Sequence, residues 1–151
     1  MSRARELARL QPNTNGVLPV FNLNSTGYVA PKSYHATRPG GGISTSQTLV
    51  TLTINITSAT NKVFVTGSDL LRCSSGIARG ALQIDGVTVE NEFMYLQGSA
   101  NTWVTQTGIY TGNNLSIGSH TVSIYADFTS SAGAFDGPTY LQVVLWDGPS
   151  A

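Results

Sequence analysis

The stretch His120–Phe128 places apolar Val122, Ile124, Ala126 and Phe128 at every second position, with Thr121, Ser123, Tyr125 and Asp127 between them. A period of two sends alternate side chains to opposite faces of a strand, so this segment fits a half-buried strand and offers no helical stripe. The same alternation runs through Val50, Leu52, Ile54 and Ile56, with Thr51, Thr53 and Asn55 between. It returns in Thr139–Trp146, where Leu141, Val143 and Leu145 face one way and Tyr140, Gln142, Val144 and Trp146 the other. Apolar side chains on both faces of that last segment mark a central strand, or one packed at a subunit contact.

Further short strands are predicted over Lys62–Thr66, Asp69–Cys73, Ala78–Ile84, Val87–Asn91, Phe93–Gln97, Trp103–Tyr110 and Leu115–Ile117. Asp85-Gly86 is the sharpest hairpin signal, because a type I′ turn needs positive φ at both central positions. The Gly/Ser/Ala-rich stretch from Thr129 to Pro138 reads as the longest loop of the body. About eight short strands with turn signals every 8–12 residues predict an all-β chain, an antiparallel β-sandwich of jelly-roll type. The sandwich domain is placed at 48–148.

Residues 1–47 read differently, as an N-terminal anchoring arm. Ser2 can cap a short helix through about Leu10, with Leu7 and Leu10 on one side and Arg3, Arg5 and Arg9 on the rest. Two or three turns are not stable alone in water, so its leucines need a surface to cover. Pro12 ends it. From Gln11 to Gln47 no period holds, and Gly16, Pro19, Gly27, Pro31, Pro39 and the Gly40-Gly41-Gly42 run break every candidate element. Yet Val17, Leu18, Val20, Phe21, Leu23, Tyr28, Val29 and Tyr34 are too apolar for a plain solvated linker. The arm is expected to lie across a surface, hinged to the body at the glycine run.

Charge divides along the same line. Residues 1–40 carry Arg3, Arg5, Arg9, Lys32 and Arg38 against Glu6, and the remainder is acidic by the same margin, so the chain is neutral overall. Charged residues make up 11% of the chain, against about 25% in ordinary soluble proteins. A basic arm on a mildly acidic, charge-poor body suits docking onto copies of itself or onto a larger assembly.

Chemistry-bearing residues are sparse. The single cysteine, Cys73, excludes an intrachain disulfide and reads as a small buried apolar residue. The two histidines, His35 and His120, stand in no ligand or triad spacing, and both read as satisfied surface groups. Glu90 and Glu92 share one side of a strand as a solvated edge. Asp127 and Asp136 flank the long loop, and to hold Ca²⁺ they would need about four or more further oxygens. No segment approaches the roughly 18 apolar residues of a membrane span, and no apolar run follows the N-terminal arginines as in a signal peptide. The pI near 6.7 and the scattered cations argue against nucleic acid as a partner. An enzyme is not expected, and no cofactor or metal is assigned. Tyr95, Trp103, Tyr125, Tyr140 and Trp146 fall on or beside strands and are the candidate surface-binding aromatics, with packing in a core or subunit interface as the alternative.

The opening MSRARELARL resembles the short N-terminal tag on tail-fibre-like and other virion proteins of tailed bacteriophages. The strings ATNKVFVTGS, ALQIDGVTVENE, LSIGSHTVSIYADF and TYLQVVLWD resemble the small jelly-roll domains, related in shape to the C1q and tumour-necrosis-factor fold, that such phages carry. The resemblance implies a homotrimeric β module on a virion, assembled in the host bacterial cytoplasm. It is either a capsid decoration (cement) protein laced onto the major capsid protein, or a short tail fibre or spike held by tail adaptor proteins and meeting a host surface glycan. The absence of a heptad shaft and the apolar arm favour decoration. Arg3, Arg5, Leu7, Arg9, Leu10, Val20, Phe21 and Tyr28 are then the assembly and anchoring residues.

Overall fold

A computed structural model describes residues 30–98, 102–128 and 132–148. The expected helix at Ser2–Leu10 and the anchoring residues up to Tyr28 lie outside the described residues. Within them the chain forms strands β1 (Lys32–Arg38), β2 (Gln47–Ile56), β3 (Asn61–Ile84), β4 (Val87–Gly98), β5 (Trp103–Asn113), β6 (Gly118–Asp127), β7 (Ala132–Phe135) and β8 (Thr139–Asp147). No helix among these residues is long and apolar enough to cross a membrane.

All pairings are antiparallel, and they build two sheets that share one strand. The front sheet runs β1-β8-β3-β5 and uses Asn61–Arg72 of β3. The back sheet runs β2-β6-β3-β4 and uses Gly76–Ile84 of β3. β7 replaces β8 beside β3 at Leu71–Ser75. Counting the two halves of β3 separately gives four strands per sheet, with the short β7 continuing the β8 position in the front sheet, in an order that crosses repeatedly from one sheet to the other. This is a jelly roll.

The single 24-residue β3 differs from the three short strands expected there. Gly67, between two of those expected strands, faces inward opposite Gly108, and both are buried. A Cβ on Gly67 would come within 2.7 Å of both the Phe93 ring and Ile124 Cδ1, and one on Gly108 within 2.2 Å of the Phe93 carbonyl oxygen. The missing side chains let Phe93, from the opposite sheet, press onto the front-sheet backbone. At Ser75-Gly76 the strand bends from one sheet to the other, with a register shift between Cys73 and Ser75 and φ +72 at Gly76, which favours glycine. Buried Cys73 turns its thiol to the Ser75 carbonyl, 3.1 Å away.

Between the sheets lie the inward rows of the alternating segments: Leu141, Val143 and Leu145 of β8, Val63, Val65 and Leu71 of β3, and Val122, Ile124 and Ala126 of β6. Each large aliphatic side chain so buried contributes roughly 1.5–3 kcal/mol. β8 is central in the front sheet, as its two apolar faces implied. The predicted hairpin turn sits at Asp85-Gly86, both at positive φ (52° and 77°). The long loop expected over Thr129–Pro138 is shortened by β7.

The boundary of the arm needs correction. Segment 32–38, read as part of an unpatterned arm, is a strand paired along its whole length with β8. Its short alternation, with Tyr34 and Ala36 packed inward against the core, is masked in sequence by flanking prolines and glycines. The glycine run after it is a packed turn, with the Gly41 amide donating to the Asp136 carbonyl at 3.1 Å and Ile43 bridged to Phe135. It joins β1 to β2 inside the sandwich, in place of the expected hinge.

Candidate functional site

β1 is fastened at both ends by an ion pair to a buried carboxylate. At one end Lys32 Nζ lies 3.6 Å from Asp147 Oδ2. Asp147 also accepts the amides of Thr57 and Ser58, each at 2.8 Å, and the Thr57 hydroxyl. Burial pushes this carboxyl up, but those donors and Lys32 outweigh it and hold it below the usual aspartate range. At the other end Arg38 Nη2 lies 3.4 Å from Asp69 Oδ2. Arg38 also donates to the carbonyls of Gly137 and Gly41 and to Thr139 Oγ1, and the Thr139 hydroxyl in turn donates to Asp69. For Asp69 burial wins, and its carboxyl sits above the usual range despite the bonds from Thr139, Leu70 and Arg38. Both carboxylates are thus committed to holding loops and an edge strand.

A second fastening closes the far end of the back sheet. His120, expected at the surface, is the first inward residue of β6 and is buried. Its Nδ1 lies 2.6 Å from Asp85 Oδ2, and its Nε2 lies 2.8 Å from the Ser116 carbonyl oxygen. Asp85 Oδ1 accepts the Thr121 amide at 2.8 Å. The Asp85 bond and the Ser116 carbonyl raise the His120 pKa against the opposing effect of burial. The Thr121 amide and His120 lower that of Asp85. This pair ties the tip of the β3–β4 hairpin to the start of β6.

With these groups accounted for, the outward face of the front sheet stands apart. Register places Ser33, Val144, Phe64 and Thr111 in one row across the four strands. The next row is His35, Gln142, Thr66 and Ile109, and the third is Thr37, Tyr140, Ser68 and Thr107. None of these twelve positions is Lys, Arg, Asp or Glu. Lys62 beside Trp146, and Arg72 beside Trp103, stand at the two ends of the face. The Arg72 guanidinium lies 4.8 Å from the Trp103 ring centroid, a cation–π contact. Large apolar groups are open to solvent here: Ile109 is 64% exposed, Tyr140 52%, Trp146 40% and Trp103 38%.

Three shallow depressions follow the outward row of β3. One of about 510 Å³ lies among His35, Thr37, Thr66, Ser68, Thr107, Tyr140 and Gln142. One of about 450 Å³ is lined by Lys62, Trp146 and Phe64 with Thr111 and Asn113. One of about 270 Å³ lies on the other side of Tyr140, by Ser68, Leu70, Thr105 and Pro138.

The five candidate aromatics therefore do not form one site. Trp103, Tyr140 and Trp146 share the front face, whereas Tyr95 and Tyr125 lie half-buried on the outward face of the back sheet. There the Tyr95 hydroxyl donates to Gln97 Oε1 at 3.2 Å, and neighbouring Arg79 pairs with Asp127 at 3.0 Å. That pairing also sets Asp127 apart from Asp136 as a cation ligand, and no group of three His, Cys, Asp or Glu able to hold a metal occurs among the described residues. Glu90 and Glu92 are exposed on the β3–β4 hairpin, as a solvated edge requires. Phe64, Ile109, Thr66 and Thr107 also lie on the front face and were not singled out in sequence, whereas His35 was read as a surface group and Gln142 as facing with Tyr140. Their signal is the i, i+2 row through Lys62, Phe64, Thr66 and Ser68, visible only once β3 is known to be continuous.

No family model matches the chain, and no curated protein matches it. Among solved structures, dimeric latent PorU from Porphyromonas gingivalis is similar over 81% of this chain and 13% of that one, at 11% identity and a TM-score of 0.49. The VP2 subviral particle of infectious bursal disease virus is similar over 78% of this chain and 33% of that one, at 16% identity and a TM-score of 0.48. A family 35 carbohydrate binding module from Clostridium thermocellum is similar over 76% of this chain and 98% of that one, at 12% identity and a TM-score of 0.39. The chain thus spans only part of the first two.

Proposed function

We propose that this chain is a non-enzymatic structural protein of a bacteriophage virion, a homotrimeric capsid decoration protein held by its N-terminal segment, with the outward face of the front sheet as its contact surface. The observation that carries a binding role is that face: a charge-free, aromatic-bearing strip on a sandwich whose core is already filled behind it. Exposed apolar area of this kind marks contact surfaces. Support for a non-catalytic role comes from how the buried polar groups are used. Asp69, Asp147 and the His120–Asp85 pair each hold a strand or loop in place. The likeness of the opening ten residues to virion tags supports the anchoring role of Arg3, Arg5, Leu7, Arg9 and Leu10, and the apolar Val20, Phe21 and Tyr28 would extend the attachment. Apolar anchors would dominate it, at roughly 1.5–3 kcal/mol for each side chain fully buried, against about 0–1 kcal/mol for an exposed ion pair.

Quantitative mass spectrometry of purified particles tests this reading. A copy number matching the capsid lattice is expected, together with loss of the protein from particles when residues 1–29 are deleted. Normal incorporation of the truncated chain would overturn it. A handful of copies per particle would move the protein to a tail fibre or spike, where the same face would meet the host.

A further inference from the structure

We propose that the outward face of the front sheet binds a neutral, extended oligosaccharide lying along β3. This rests on the reading of that face as the contact surface and gives it a ligand class.

The lining chemistry carries the inference. Around Tyr140 the 510 Å³ depression presents the hydroxyls of Thr37, Thr66, Ser68 and Thr107, the Gln142 amide and the His35 imidazole. These are hydroxyl, amide and imidazole donors and acceptors set beside an aromatic ring. A pyranose has the complementary surface: hydroxyls around its rim and an apolar C–H face that lies on a ring. An interface between proteins is more apolar at its centre and favours Arg there.

Charge narrows the ligand further. No Lys or Arg stands within the three central rows to pair with a phosphate, sulfate or uronate, and no carboxylate to pair with an amino sugar. Lys62 borders the depression at the Trp146 end of the strip, and Arg72 stands past its other end. A neutral chain therefore matches the three central rows with no charge left unpaired among them, and at the ends Asp69 is already paired with Arg38 while exposed Lys62 keeps its water.

The arrangement also sets ligand length. Trp146 and Tyr140 are six residues apart on β8 and face the same way, so the two rings lie about 20 Å from each other at about 3.3 Å per residue. The depressions they wall, with the third beyond Tyr140, make a row. A single sugar fills one; a linear oligomer spans all three. Ring stacking tolerates some variety in sugar identity, while the hydroxyl and amide groups fix orientation.

Affinity electrophoresis of the full-length protein through gels containing dextran, mannan or β-1,3-glucan, with alginate as the anionic control, tests this. Retardation by at least one neutral polymer is expected, undiminished in high salt, and weakened at least tenfold in both Tyr140→Ala and Trp146→Ala. Tyr95→Ala and Tyr125→Ala, on the opposite face, should retain it. All four variants should keep the parent melting temperature, since these side chains lie outside the core. Retardation by none of the neutral polymers, by alginate alone, or equally in Tyr140→Ala would overturn the proposal. Sedimentation velocity of Ile109→Lys separates the competing occupant: dissociation of an oligomer would assign the face to a second copy and sink the sugar site. Particle incorporation, measured separately, would still report on the virion reading.

Discussion

His120 shows how one side chain can set a pH dependence. Both ring nitrogens face oxygen acceptors, Asp85 Oδ2 and the Ser116 carbonyl, and only the imidazolium can donate to both at once. Its folded pKa is accordingly raised above the ordinary value near 6.5. The stabilisation is therefore complete below about pH 6.5 and is lost as pH rises through the folded pKa. Asp85 has the opposite sign. Its lowered pKa gives a contribution present above the ordinary aspartate value and lost as pH falls through the depressed one. Urea denaturation between pH 5 and pH 9 should show the wild type losing stability across the upper half of that range relative to His120→Gln. A constant gap between the two across the range would contradict the assignment. The sequence showed His120 only as a polar residue after a turn. That it heads the inward row of β6 was legible in its alternation with Val122 and Ile124, but its partner Asp85 comes from 35 positions earlier, and only the hairpin's docking brings them together.

At the level of elements, β1 illustrates an edge strand that depends on more than its ladder. Among the described residues it pairs with β8 alone, and the Lys32–Asp147 and Arg38–Asp69 contacts secure its two ends. Asp69→Ala would leave the Arg38 guanidinium, 16% exposed, facing an emptied buried site. Breaking such a pair from one side costs about 3 kcal/mol, read as a shift in the urea midpoint. Asp69→Asn should cost much less, because it keeps an acceptor for Thr139 and burial already disfavours the charged carboxylate. Equal losses in the two variants would show that the charge on Asp69, removed in both, holds this corner rather than its acceptance of the Thr139 hydroxyl, and would overturn this expectation. The half-buried strands over Thr48–Ile56, His120–Phe128 and Thr139–Trp146 were plain in their period of two, and so was the Asp85-Gly86 turn. β1 and the continuity of β3 were not. Proline and glycine ordinarily end elements, and nothing local reveals that Gly67 is a contact point for Phe93 or that Gly76 lets a strand bend between sheets.

For the whole molecule, the described residues close a complete eight-strand sandwich beginning at Lys32. A chain starting at Ala30 should therefore keep the melting temperature of the full protein within a few degrees. A large drop would mean that residues 1–29 cover part of the sandwich, and the proposed division between anchor and displayed body would fail.

The amino-acid order by itself determined the all-β class, the polarity of most strand faces and the shortage of charge, because these follow from side-chain period and composition within a few residues. Only the tertiary structure decided which outward rows become neighbours. The outward front face is assembled from β1, β8, β3 and β5, drawn from segments as far apart in sequence as Lys32–Arg38 and Thr139–Asp147, and register between distant strands is fixed by the packing of their inward sides. Trp103, Tyr140 and Trp146 came to share a surface, and Tyr95 and Tyr125 were turned to the other side, for that reason.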